Sequence, residues 1–429
     1  MDIKYKGSPK VGLFGATLGF FIGFAALSLF GPTVKFLKEV IKLDEGLAGL
    51  LISIPSLSGS LLRIPFSAMV EKDGGRKPFL ILLTLSLIGI LGIWGIMIQP
   101  QETIISLFPL LLFFGILGGC GIATFSVGVG QTSYWFPQKG QGTALGIYGG
   151  VANMAPGLFA LLLTTVTIPF LGLSGSYLAW FVFLAVGILV YWITGSNAWY
   201  FQLRKAGKSP EEAKDIATKK GQELFPKGTA IQSLAISAKQ VKTWLMVIIY
   251  FGTFGGFMAM TVWLTKFGMG YFGWDLASAG ILTALYSVGT SLARVIGGPI
   301  SDKIGGIPTT FGSLILALIG SAMVALMPPG TFTLVGIGLM ALGMGVGNAA
   351  IFKLVPQFIP TAVGGAAGWI GGLGSFGGFV IPLVLALILS QNSIEPLTGF
   401  SQGFWVFAGI FALSLLILVG LSTRKKEAK

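Results

Sequence analysis

The sequence predicts an all-α integral membrane protein, with twelve transmembrane helices arranged as two pseudo-symmetric six-helix bundles. Composition is the first reason. Of 429 residues, 54% are hydrophobic, only 10% are charged and 65 are glycine, leaving too little polar surface to cover a soluble globule. The second reason is the recurrence of apolar runs close to the roughly 20 residues a membrane-spanning helix needs. The third is an internal repeat.

The runs place spans at 11–31, 46–70, 78–98, 107–136, 141–169 and 176–196 in the first half. Those of the second half fall at 244–265, 276–300, 308–328, 332–356, 361–390 and 402–423. The chain therefore reads as an N-terminal bundle (1–196), a linker (197–243) and a C-terminal bundle (244–429). The first run follows Met-Asp-Ile-Lys-Tyr-Lys without a convincing cleavage site and is expected to be a retained span, not a signal peptide.

Charge fixes the expected orientation. The linker carries nine basic residues, Arg204, Lys205, Lys208, Lys214, Lys219, Lys220, Lys227, Lys239 and Lys242. Lys4, Lys6 and Lys10 precede the first span, and Arg424, Lys425, Lys426 and Lys429 follow the last. Positive charge beside spans marks the cytoplasmic side, so linker and both ends are expected there, in a multi-pass membrane protein. Lys35, Lys38 and Lys42 fall outside in this scheme, partly balanced by Glu39, Asp44 and Glu45. The net charge of +13 is thus assigned to topology and not to nucleic acid. Within the linker, Ser209-Pro210-Glu211-Glu212 predicts the start of a short surface helix.

The repeat has two parts. Shifting by 222 positions superimposes Gly142, Gly146, Gly149 and Gly150 on Gly364, Gly368, Gly371 and Gly372, and Asn153 on Ser375. Glycines three and four apart line one helix face and admit a neighbouring backbone. A shift of 231 pairs Arg63 with Arg294, Glu71 with Asp302, and Gly74-Gly75 with Gly305-Gly306. The acid and the glycine pair predict a tight turn after the second span of each half.

Arg63 and Arg294 lie inside apolar spans, where charge is costly and marks function. Snorkelling to the cytoplasmic interface, or pairing with a helix carbonyl, accounts for one arginine near a span end, but poorly for two at matching places. The 15 acidic residues all map to loops, turns or span ends, so neither guanidinium has a fixed counterion. Two such charges about 8 Å apart at an effective dielectric near 20 repel by about 2 kcal/mol. A small anion between them relieves this, and the planar fork of arginine suits oxyanions. The inferred substrate is a small inorganic anion or a compact carboxylate. The chain has no histidine and one cysteine, Cys120, which removes the usual metal, disulfide and acid–base constellations. No enzymatic activity, cofactor or metal is expected. Without a titratable acid at depth, exchange of one anion for another is favoured over proton coupling, although tyrosine and lysine leave a proton route open.

The glycine stretches, the paired arginines and Gly345-Val346-Gly347-Asn348-Ala-Ala-Ile-Phe352-Lys353 in the tenth span resemble the nitrate/nitrite porter family of the major facilitator superfamily. The resemblance covers the whole chain and extends to the turn motif, where Glu71 replaces the usual aspartate. It implies that Arg63 and Arg294 hold the anion, with Phe125 of the fourth span and Tyr250 and Phe254 of the seventh flanking it. It also implies a hydrogen bond from Asn153, which here follows Ala152 where the family has glycine. Gly146, Gly149, Gly150, Gly368, Gly371 and Gly372 are the signature glycines. The expected function is nitrate/nitrite antiport by a monomer in the lipid bilayer. A proton-coupled nitrate symporter and another small-anion exchanger are the alternatives. Thr253 and Ser287 are candidate polar liners of the site, and Lys266, which ends the seventh span, and Lys353, which follows the tenth-span motif, are open between snorkelling to an interface and a role at the site.

Overall fold

The computed structural model describes residues 5–226, 230–359, 362–392 and 394–427. Lys4, Lys227 and Lys429 of the charge pattern lie outside them. Among the described residues there is no β-strand, and eleven helical stretches are long and apolar enough to cross a membrane. These are α1 (Pro9–Ser28), α2 (Glu45–Asp73), α3 (Arg76–Met97), α4 (Phe108–Trp135), a stretch from Thr143 to Thr194, α7 (Val241–Tyr271), α8 (Leu276–Ile304), α9 (Gly306–Leu326), α10 (Thr331–Val355), α11 (Gly364–Gln391) and α12 (Pro396–Ser422).

The fifth stretch contains two crossings. Its 52 residues would run about 78 Å if straight, over twice the ~30 Å apolar core of a bilayer. Gly172 breaks it with φ 68° and ψ −174°, a conformation that a Cβ opposes. We label its parts α5 (143–171) and α6 (173–194), which makes twelve crossings in two groups of six. The break falls between the spans expected from sequence.

Glycine explains the close packing. A Cβ on Gly119 of α4 would lie 2.0 Å from the carbonyl oxygen of Pro55 on α2, and one on Gly89 of α3 would lie 2.1 Å from the backbone nitrogen of Gly118. These helices touch backbone to backbone, which suits a medium where apolar side chains gain little by leaving lipid. The outer faces show the reverse of a soluble surface: Leu285, Phe170 and Leu416 are 68%, 80% and 72% exposed.

The repeated turns take matching shapes. Gly74 ends α2 with φ 73° and Gly305 ends α8 with φ 95°. Their acids differ in partnership. Asp302 pairs with Lys353 at 2.6 Å. The Glu71 carboxylate instead reaches toward α11, with Oε1 3.9 Å from a Cβ placed on Gly364.

The linker forms helices at Trp199–Lys205, Pro210–Lys219 and Ala230–Ala238. The second starts where expected, and does so with a capping box in which Ser209 and Glu212 bond each other's backbone. The third packs beneath the start of α11. Ser233 Oγ accepts from the Gly365 amide at 2.9 Å, and the Trp369 indole donates to the Leu234 carbonyl at 3.0 Å. A cap is thus supplied to α11 by another element. Losing such a cap costs about 1 kcal/mol, so Ser233→Ala should speed amide exchange over residues 364–368 roughly fivefold. Hydrogen-exchange mass spectrometry reads this directly, and unchanged protection would remove the cap from the account.

Candidate anion-binding site

The two arginines hold the same helical register. Arg63 is 18 residues past the first residue of α2 and 10 short of its last, and Arg294 stands likewise in α8. At 1.5 Å per residue both backbones lie roughly 15 Å from the end that carries the repeated turns. Side chains tilt toward a helix N-terminus, which carries the guanidiniums deeper still. Phe125 is also 10 residues from the end of α4, so it arrives at the same level.

All three meet Phe254 of α7. Arg63 Cζ lies 4.9 Å from the Phe125 ring centroid and 5.1 Å from that of Phe254. Arg294 Cζ lies 5.4 and 5.5 Å from the same two rings. The rings stack on each other with centroids 5.8 Å apart, and Tyr250 stacks on Phe254 at 5.1 Å with an interplanar angle of 3°. Each half therefore supplies one arginine and one phenylalanine, and each arginine touches the ring of the other half. Cation–π attraction offsets part of the repulsion between the guanidiniums.

The hydrogen bonding is unequal. Arg63, fully buried, donates Nε to the Gly59 carbonyl at 3.1 Å and Nη1 to the Gly371 carbonyl at 3.2 Å. Its Nη2 has no partner among the described residues, nor has Arg294 Nη1. The Tyr250 hydroxyl lies beside Arg294 without reaching hydrogen-bond geometry. Unpaired buried donors each cost about 1–3 kcal/mol. Their convergence makes a site for an acceptor-rich group. Asn153 is 1% exposed and its Oδ1 is also unpartnered. It lies three residues beyond Gly150, but no hydrogen bond joins it to the arginines.

The signature glycines divide by role. A Cβ on Gly150 would meet Val295, beside Arg294, at 2.4 Å; one on Gly372 would meet Ile64, beside Arg63, at 2.6 Å. This matched pair presses each signature helix against the arginine helix of the opposite half. Gly371 adds the carbonyl for Arg63. Gly146 and Gly149 have nothing within 4 Å of an added Cβ, and Gly368 meets Leu234 of the linker helix at 3.2 Å. The expectation of close packing along the whole glycine face therefore holds only in part. Overpacking costs about 1–3 kcal/mol, so Gly150→Ala should lower the melting temperature of the detergent-solubilised protein while Gly149→Ala does not. Equal melting points for the two variants would refute this division.

Several site residues escaped the sequence reading. Phe20 of α1 packs on Phe125 at 5.3 Å, and Phe24 stacks on Phe254 at 6.3 Å. The Tyr148 hydroxyl donates to the Phe125 carbonyl at 2.9 Å. Tyr148 sits inside the first glycine stretch, so a signal was present. In a chain with 34 phenylalanines, nothing distinguished Phe20 and Phe24. Lys266, left open between roles, joins Glu45 and Lys38 in an ion-paired group at the face away from the repeated turns.

A buried, cationic and aromatic site between the halves of a chain with twelve membrane helices is the arrangement of a membrane carrier. The chain belongs to the major facilitator superfamily, whose family model matches residues 16–382 and 269–429. It is 26% identical over 435 residues to a probable nitrate transporter, NarT, of Staphylococcus epidermidis, covering 100% of both chains. It is 28% identical over 414 residues to a probable nitrate/nitrite antiporter, NarK1, of Thermus thermophilus, covering 90% of this chain and 86% of that one. The fold matches a partially occluded, inward-open structure of the Escherichia coli xylose transporter XylE with a TM-score of 0.73 at 15% identity, over 96% of this chain and 99% of that chain.

Proposed function

We propose that this chain carries nitrate and nitrite across the plasma (inner) membrane, exchanging one for the other by alternating access. Arg63 and Arg294 bind the anion between them. The observation that carries this reading is the placement of both guanidiniums over one stacked ring pair, with unpaired donors on each arginine. Phe125, Phe254 and Tyr250 flank the planar anion and exclude larger solutes, since ring edges carry partial positive charge. Asn153 adds a donor from the first half. The names of the relatives support the choice of anion.

The two bundles, 1–196 and 244–429, rock about this site as a monomer, with 197–243 and both ends in the cytoplasm. The Gly150 and Gly372 contacts are the surfaces on which the halves pivot. A doubly positive site without its anion crosses reluctantly, which favours obligatory exchange.

The test is flux in proteoliposomes loaded with nitrite and given nitrate outside, with internal pH and membrane potential followed together. Uptake of nitrate that requires internal nitrite and moves no protons is the expected result. Uptake into nitrite-free vesicles with internal acidification would replace exchange by proton symport.

A further inference from the structure

Asn348 of α10 is 1% exposed, and its Oδ1 has no hydrogen-bond partner among the described residues. A buried carboxamide oxygen left unpaired is unusual enough to ask what the side chain serves. The repeat supplies a position. In the sequence Phe125 stands 12 residues before Pro137, and Asn348 stands 12 residues before Pro360. This shift of 223, against 222 for the glycine stretches, puts Asn348 within one residue of the second-half counterpart of the ring that both guanidiniums approach.

Its neighbours agree. A Cβ on Gly345 would lie 3.1 Å from the backbone nitrogen of Arg294, and one on Gly347 would lie 3.1 Å from Thr253 Cγ2 of α7. Phe352 meets the Tyr250 ring edge-on at 5.1 Å. Asn348 lies three residues after Gly345 and four before Phe352, on the same helical face. That face is wedged between the arginine of α8 and the tyrosine of α7.

We propose that Asn348 determines specificity between the two anions, its carboxamide N–H donating to the oxygen that nitrate has and nitrite lacks. The proposal rests on the nitrate/nitrite reading above. Nitrate is trigonal with three oxygens; nitrite is bent with two. Donors from Arg63, Arg294 and Asn153 serve two oxygens, and a further donor beside Arg294 is idle for nitrite. The amide is neutral, so it adds discrimination without adding charge.

The experiment compares wild type, Asn348→Ala and Asn348→Ser in proteoliposomes, with isotope-labelled nitrate and nitrite each supplied in turn and Arg63→Gln as the inactive control. Losing a hydrogen bond to a charged ligand is worth roughly tenfold or more. Asn348→Ala is expected to raise KM for nitrate at least tenfold, leave KM for nitrite within twofold, and leave the maximal nitrite rate unchanged. Asn348→Ser, which keeps a short donor, should fall between and gives the same ratio if the alanine variant is not recovered as a monodisperse protein. A parallel change in both constants, or an unchanged ratio, overturns the assignment while wild-type nitrate flux leaves the function standing. Absence of both fluxes in wild type overturns the function and this inference with it.

Discussion

Arg63→Lys is expected to cut nitrate exchange at least 100-fold, although it conserves charge. The guanidinium does two things in the structure and a third on the proposed reading: Nε holds the Gly59 carbonyl, Nη1 holds Gly371 across the halves, and the unpaired Nη2 donates to the proposed anion. A lysine ammonium is a compact point charge on a flexible stem and cannot keep both carbonyls while presenting a donor in the anion plane. Hydrogen bonds to charged groups are worth about 1.5–3 kcal/mol each. Two lost in the transition between open states cost about 3–6 kcal/mol, or 10²–10⁴ in rate. Arg294 is less buried and has no such carbonyl pair, so Arg294→Lys should be the milder variant. Initial rates of labelled-nitrate exchange settle the order. An Arg63→Lys carrier within threefold of wild type would sink the assignment of Arg63 as the anion ligand.

The same pair shows what was readable in the sequence. The shift of 231 gave equal depth to the two arginines because each half folds on the same register, and the structure places both 10 residues from their helix ends. Helix number followed from hydropathy, since a continuous run of about 20 apolar residues satisfies its backbone in lipid as a helix. What hydropathy hides is direction. In lipid an apolar residue is equally suited to the outside and the core, so Phe20 and Phe24 carried no mark of the ring cluster they join. The glycine face was similarly ambiguous. Periodicity put Gly149 and Gly150 side by side, and only the structure shows that Gly150 abuts Val295 while Gly149 faces open space. Contacts between halves were the least accessible. Lys266 and Glu45 are 221 residues apart, and neither belongs to the repeat.

That long-range pair underlies the second large effect. Lys266, on α7, is about nine-tenths buried and bonds the carboxylate of Glu45, the first residue of α2, which also receives Lys38. The Trp263 ring lies 4.8 Å from the ammonium. Nearby, a Cβ on Gly31 would sit 2.6 Å from the Val262 carbonyl oxygen, and one on Gly49 would sit 2.2 Å from the Ala386 Cβ. The halves are therefore sealed at this face by tight packing around one ion-paired group. The alternating access proposed above requires them to part here. Glu45→Gln leaves Lys266 without its carboxylate, and removing one partner of a buried pair costs about 3–5 kcal/mol. Opening this face to water relieves that cost, so the variant should favour the open state by a factor of roughly 100 or more. A cysteine at Ser53, buried on α2 two turns below Glu45, reports the change in a Cys120→Ser background. An impermeant maleimide added from that side should label it about 100-fold faster in Glu45→Gln, and net exchange should slow as the carrier dwells open. The double exchange Glu45→Lys with Lys266→Glu restores a pair and should restore slow labelling. If Glu45→Gln labels at the parent rate, the ion pair is not what holds this face shut, and packing at Gly31 and Gly49 does so alone.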